Sequence, residues 1–282
     1  MIADNQTNTV YISNLWPEED PQRFYELEAI ITKAGYMVKL LLSTTDEDYY
    51  CRDYMPVQLG ENDFVQFVFR PIDYYDENQI WEITNPVIVQ QVNRLPQPRF
   101  SGLILDGGNI AKTSDKVIIT DKVITDNRYQ FNSDEDIMTE LKKNLKCKVI
   151  VIPAYPNEET GHADGLIRFV NENTVLLNDT TEEPEKEWLN KVRAILESNE
   201  LTWLDIPCTL TMDQKTANGL YINYLHVGNL IVVPQFKQKE DDRALQIMQQ
   251  LFGTKNKVIP LDARWIAKFG GVLNCATWTV KE

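Results

Sequence analysis

The hydrophobic pattern of this chain changes period in repeating cycles. The clearest cycle begins at Gly165. Residues 166–170 and 174–177 are apolar runs of strand length, joined by the turn signal Asn171-Glu172-Asn173. From Pro184, a residue suited to a first helical turn, Trp188, Val192, Ile195 and Leu196 recur at helical spacing. Residues 201–206 then read as a strand stopped by Pro207. A second cycle starts near Gly219: strands at 220–225 and 230–233 around Gly228-Asn229, a helix at 241–252, and a strand at 257–261. Ala244, Leu245, Met248 and Leu251 form the apolar face of that helix. An earlier cycle starts near Asn109, with strands at 117–120 and 122–125. A helix marked by Ile137, Leu141 and Leu145 follows, then a strand at 148–152.

These cycles begin roughly 55 residues apart, a period typical of propellers and repeat folds. The N-terminal third matches less closely. Strands are expected at 9–13, 37–42 and 64–69, with a helix carrying Phe24, Leu27, Ile30 and Ile31. A doubly wound parallel sheet needs one strand between successive helices. Here a hairpin precedes each helix, so the pattern predicts a cyclic array of ββαβ units. Residues 73–99 read as a long connector bearing Tyr74, Tyr75 and Trp81, and loops of that length are commonly functional. No linker divides the 282 residues, so one domain over 1–282 is expected.

Composition narrows the function. The net charge of −14, from 42 acidic and 28 basic residues, opposes nucleic-acid binding. It suits a cationic substrate, and it also suits plain solubility. No apolar run reaches the ~18 residues that span a bilayer. The polar segment 1–9 lacks the features of a secretion signal, which makes the cytoplasm the expected location. Cys51, Cys147, Cys208 and Cys275 show no CxxC spacing, and the chain has two histidines, so no metal site is expected. Nothing marks an oligomeric state.

Several polar residues flank the repeat strands: Arg52-Asp53, Asp106-Gly107-Gly108-Asn109, Gly161-His162-Ala163-Asp164-Gly165, and Asn274-Cys275. In a cyclic fold they can converge on one centre. Singly, each has a bland explanation. Asp106-Gly107-Gly108 is a turn signal, a free cysteine is often core, and loop carboxylates are usually solvated. His226, beside a hairpin turn, is expected to be solvated, and Cys51, Cys147 and Cys208 to be structural.

Taken in order, these motifs resemble the agmatine deiminase and bacterial peptidylarginine deiminase family of guanidino-modifying enzymes. Arg52-Asp53 with Pro56, the 106–109 and 161–164 motifs, Arg168-Phe169, Asn223, the run 233–236 and the late cysteine carry the resemblance. It implies a five-bladed α/β propeller of ββαβ repeats, the pentein type, in agreement with the periodicity. It further implies Cys275 as nucleophile, His162 as general acid/base, and Asp53 and Asp164 as the carboxylates that grip a guanidinium. Asp106, where the family usually has Glu, takes the place of the group that orients the histidine. Arg52 and Asn109 belong to the same substrate-binding motifs. The implied reaction needs no cofactor.

The chemistry is consistent with those residue types. A guanidinium is a planar fork of donors that carboxylates match. A thiolate attacks its central carbon, and the departing ammonia needs a proton from a histidine. Agmatine, a free arginine derivative and peptidyl-arginine share this head group, and an acidic chain favours agmatine, whose far end is a second cation. An amidinotransferase, and a non-catalytic binding protein of the same fold, are the competing readings. The first is separated by its product. The second is opposed by the presence of the cysteine, the histidine and the carboxylates.

Overall fold

The computed structural model describes residues 1–45, 48–71, 83–156, 160–179, 185–210 and 216–282. Among them, strands form five three-stranded sheets. β1 (Thr9–Ser13) pairs in parallel with β2 (Met37–Leu41) across α1 (Leu15–Glu19) and α2 (Pro21–Lys33). The second unit contains α3 (Cys51–Tyr54), β3 (Val57–Gly60), β4 (Asp63–Val68), α4 (Pro86–Val92) and β5 (Arg99–Ile104). The third contains β6 (Ala111–Lys112), β7 (Lys116–Thr120), α5 (Lys122–Asn127), α6 (Asp134–Leu145) and β8 (Lys148–Ile152). The fourth contains β9 (Ile167–Asn171), β10 (Thr174–Asp179), α7 (Glu185–Ser198) and β11 (Thr202–Pro207). The fifth contains β12 (Leu225–Val227), β13 (Leu230–Gln235), α8 (Asp241–Phe252) and β14 (Lys257–Asp262). β15 (Thr277–Val280) then returns to pair antiparallel with β1, setting Thr9 opposite Val280 and Tyr11 opposite Trp278.

Every sheet has one pattern. Its middle strand is antiparallel to the preceding strand and parallel to the strand after the helix. This is the ββαβ unit repeated five times, and the chain is a five-bladed α/β propeller. The helices form where the sequence supplies both a stripe and a cap. α2 has Pro21 at its first turn, Asp20 accepting from the Arg23 N–H, and Phe24, Leu27 and Ile31 buried. α6 is capped by Ser133, carries Asp134, Glu135 and Asp136 in its first turn where the helix dipole favours acids, and buries Ile137, Leu141 and Leu145.

Three expectations need correction. Residues 122–125 are helical, not a strand. The β-branched run Val123-Ile124-Thr125 looks extended, but Asp121 C=O accepts from the Thr125 N–H and Lys122 pairs with Asp126 one turn on. The true hairpin partner of β7 is Ala111–Lys112, too short to show a period. The strand expected at 220–225 begins at Leu225; Tyr221, Ile222 and Tyr224 before it are fully buried in a turn, so apolarity there reflects depth rather than pairing. The connector contains α4, capped by Asn85. Tyr74, Tyr75, Trp81 and the 180–184 segment with Pro184 lie outside the described residues. Among the described residues, no helix is long and apolar enough to cross a membrane.

Candidate active site

The polar motifs occupy equivalent places in the fold. Asp53 precedes β3, Asp106 precedes β6, His162 and Asp164 precede β9, and Cys275 precedes β15. The first strand of four of the five blades is therefore entered from a segment that carries a reactive group. The fifth blade supplies Asn223, just before β12. The family resemblance includes Asn223 but gives it no role, and the structure sets its amide on Cys275 Sγ. The signal that finds it is positional: it is the polar residue before the first strand of the one blade that otherwise lacks one.

Backbone turns set the side chains in place. Asp106 lies just before a 3-10 turn at Gly107–Asn109, and Asp164 lies within another at Ala163–Gly165. Gly108 must be glycine, since a Cβ there would stand 2.3 Å from Asp53 Oδ1 and 2.6 Å from His162 Nδ1. Gly107 is equally confined, with the Arg52 carbonyl 2.0 Å from the place of its Cβ. The Arg52 N–H donates to Cys275 O at 3.1 Å, tying α3 to the thiol loop. Tyr50 completes that tie. Its hydroxyl donates to Ile266 O at 2.9 Å and accepts from the Gly271 N–H at 2.8 Å.

The reactive groups meet at short range. His162 Nε2 is 3.0 Å from Asp106 Oδ2, so the shorter acid does reach the ring. His162 Nδ1 is 3.6 Å from Asp53 Oδ1, beyond hydrogen-bond length. Cys275 Sγ donates to Asp164 Oδ2 at 3.4 Å and accepts from Asn223 Nδ2 at 3.1 Å. Asn223 Oδ1 also accepts from the Asn274 and Cys275 N–H groups, at 3.1 and 3.2 Å. Asn274 Nδ2 donates to Asp164 Oδ2 at 2.7 Å. That oxygen is thus held by two groups of the thiol loop. Asp53 Oδ1 and Asp106 Oδ1 are buried without a hydrogen-bond partner.

Arg52 and Asn109 do not join this cluster. Arg52 donates to Asn274 O and Thr279 Oγ1, and Asn109 accepts from the Thr120 N–H, so both polar ends are held by structure. Cys51 is buried against the carbonyls of Tyr11 and Ala276, and burial pushes its thiol up to about 12. His226 is buried rather than solvated, and burial pushes it down to about 4.

The electrostatics show a site short of positive charge. Burial raises the Asp53 carboxyl to about 8, and the neighbouring charges of Asp164 and Asp106 add to the rise. Burial opposes protonation of His162, yet Asp53, Asp106 and Asp164 together outweigh it and lift the ring to about 10. The Cys275 thiol is raised well above its ordinary value by burial, then by Asp164 and Asp53; the Asn223 bond works the other way. The Asp53 carboxyl and the Cys275 thiol therefore hold protons where a cation would otherwise balance their charge. Among the described residues, no group of three or more His, Cys, Asp or Glu side chains is arranged to hold a metal ion.

A family model, the Porphyromonas-type peptidyl-arginine deiminase, matches residues 2–280. The chain belongs to this family. Among curated relatives, agmatine deiminase of Medicago truncatula is 28% identical over 216 residues, covering 64% of this chain and 58% of that protein. The match to this relative therefore spans less than two thirds of its length. Agmatine deiminase of Ectopseudomonas mendocina (strain ymp) is 24% identical over 280 residues, covering 84% of this chain and 75% of that protein. Among solved structures, C. jejuni agmatine deiminase superposes with a TM-score of 0.78 at 18% identity, covering 100% of this chain and 95% of that one. The Pseudomonas aeruginosa DDAH structure complexed with citrulline superposes at 0.61 and 12% identity, covering 97% and 99%. These superpositions establish the pentein-type propeller.

Proposed function

We propose that the chain is a cysteine-dependent deiminase that hydrolyses a guanidinium group to a ureido group and ammonia. The observation that carries this reading is the buried cluster itself: a thiol, an imidazole and three carboxylates, with Asp53 Oδ1 and Asp106 Oδ1 unpartnered. A planar cation supplies the missing donors and the missing charge. Asp53 Oδ1 and Asp164 Oδ1 each take a guanidinium nitrogen. As the cation enters, it favours the carboxylate and thiolate forms over the protons they held.

The thiolate of Cys275 adds to the guanidinium carbon. Asp106 holds His162 through Nε2, so Nδ1 is the nitrogen that moves protons. It protonates the departing amine, and ammonia leaves a thiouronium on Cys275. Water then attacks with His162 Nδ1 taking its proton, and the C–S bond breaks to release the ureido product and the thiol. Asn223 steadies the sulfur when it carries charge. On this reading residues 1–282 act as one catalytic domain, and reaction requires no added cofactor.

Agmatine is the substrate we favour, yielding N-carbamoylputrescine, because curated relatives matched over 64–84% of this chain are named agmatine deiminases. The family model's description favours peptidyl-arginine as a second reading. The deciding experiment incubates the protein with agmatine, free arginine and an arginine peptide, and measures ammonia and product mass. Ammonia with a ureido product from agmatine alone supports the reading. Turnover of the peptide alone moves the substrate. Transfer of the amidino group to an added amine, without ammonia, overturns hydrolysis.

A further inference from the structure

Two amides flank the contact between Cys275 and Asp164. Asn223 Nδ2 donates to the sulfur at 3.1 Å, and Asn274 Nδ2 donates to Asp164 Oδ2 at 2.7 Å, a length typical of a bond to a charged oxygen. The thiol donates to that same oxygen at 3.4 Å. The deiminase reading gives Asn223 a task at the sulfur and leaves Asn274 without one. The Asn274 side chain has little freedom. It is 5% exposed, its N–H bonds to Asn223 Oδ1 at 3.1 Å, and its carbonyl accepts from Arg52 Nε at 3.3 Å. Turning the amide oxygen toward Asp164 would set acceptor against acceptor, so the nitrogen faces the carboxylate.

The arrangement matters when the nucleophile forms. The proton that leaves Cys275 as the cation enters is the one donated to Asp164 Oδ2. That oxygen then loses a donor and faces an anionic sulfur. A buried charged oxygen without a donor is costly, and like charges at this range oppose one another. We propose that Asn274 is a positioning residue of the reaction: its amide keeps Asp164 Oδ2 hydrogen-bonded once the thiol proton has gone, so that the Cys275 thiolate and the Asp164 carboxylate coexist. This role deepens the deiminase reading and rests on it. Among the described residues, the hydrogen bonds to Oδ2 come from Asn274 and Cys275. Burial, then Asp164 and Asp53, raise the thiol, and the Tyr50 hydroxyl also faces it. Asp164 itself faces His162, Asp53 and Arg168. Of these, the Arg168 guanidinium is committed to Asp4 Oδ2 and Tyr224 O.

The test follows alkylation of the whole protein by iodoacetamide at pH 8, read at Cys275 by mass spectrometry. The rate reports the thiolate. No substrate is involved, so the outcome separates this role from the deiminase reading, which turnover tests. Asn274→Leu, close in size but without a donor, should slow labelling at least ~10-fold, and the rise of labelling with pH should move to higher pH. Asn274→Ala, which needs less space than asparagine, should act in the same direction and guards against misfolding of the leucine variant. In an Asp164→Asn background there is no carboxylate to serve, so Asn274→Leu should change the rate by less than ~2-fold. Labelling of both single variants at the wild-type rate, or equal slowing with and without the Asp164 carboxylate, overturns the proposal.

Discussion

Arg52 and Asp53 are neighbours in one short helical turn, yet they face two buried charge clusters of opposite sign. Asp53 joins Asp106, Asp164, His162 and Cys275, where carboxylates outnumber cations and protons are held tightly. Arg52 joins Lys112, Arg168 and Asp4, where cations outnumber carboxylates and protons are held loosely. Both clusters are buried, so burial alone does not mark a site. What differs is how completely each group is partnered. Arg168 satisfies Asp4 Oδ2, and Asp4 Oδ1, which has no hydrogen-bond partner, still faces the Lys112 ammonium at 3.7 Å. Asp53 Oδ1 and Asp106 Oδ1 are buried without a hydrogen-bond partner in a cluster that is rich in carboxylates, whereas Lys112 is paired with a carboxylate. An unbalanced buried charge is costly unless a ligand completes it.

The comparison is broken most severely by removing the thiol. Cys275→Ser should lower turnover at least ~10⁴-fold, as for other covalent nucleophiles, while an amidine-bearing alkylating agent should label Cys275 of the wild type before Cys51, Cys147 or Cys208. Equal labelling of the four in a mass spectrum counts against the mechanism. Next, His162→Ala should cost about 10²- to 10⁴-fold in kcat, the range for a general acid/base; near-normal kcat removes the ring from the chemistry. Asp164→Asn and Asp53→Asn each remove one charged hydrogen bond, worth about 1.5–3 kcal/mol, so kcat/KM should fall roughly 10- to 150-fold. A variant that processes guanidinium substrates at the normal rate ends the clamp.

Proton linkage gives a subtler test. Because burial keeps the Asp53 proton on up to about 8, cation binding at pH 6–7 should release about one proton per site. Calorimetry in buffers of different ionisation enthalpy reads that number directly, and affinity should weaken as pH falls from 8 to 6. The smallest expected effect is on stability. The unfolded Asp53 ionises near 3.8 and the folded one near 8. Between these values the native state holds a proton that the unfolded chain has lost, so stability declines as pH rises through that window. Asp53→Asn should raise Tm at pH 8.5 and change it little at pH 4. A variant that melts lower at both would show that the carboxylate is structurally satisfied.

The repeats were readable because each long helix pairs a clear stripe with a nearby hairpin, as in α7 and α8. Where an element was short or entirely buried, periodicity had nothing to report. β6 is two residues long, and Tyr221, Ile222 and Tyr224 are all fully buried in their turn. The cluster of Cys275, His162, Asp53, Asp106 and Asp164 was legible because the residue types and their order suit one chemistry. Arg52 and Asn109 travelled with those motifs, but sequence cannot say toward which neighbour a side chain turns. Backbone acceptors around α3 and an N–H on β7 decided that. His226 was misjudged for a related reason: a polar residue beside a turn looks solvated until packing over it is known.

The antiparallel match of β15 to β1 carries a consequence for assembly. Cys275 enters the site two residues before β15, and its loop is fastened by bonds from Arg52, Asn223 and Tyr50. The nucleophile is therefore delivered by the contact that spans the greatest distance along the chain, a kind of pairing that forms late and slowly. A folding intermediate with four finished blades would hold the imidazole and the carboxylates and yet be chemically silent. Onset of thiol reactivity during refolding would thus time the closing of the ring, and brief opening of that one sheet would switch the chemistry off without unfolding the rest.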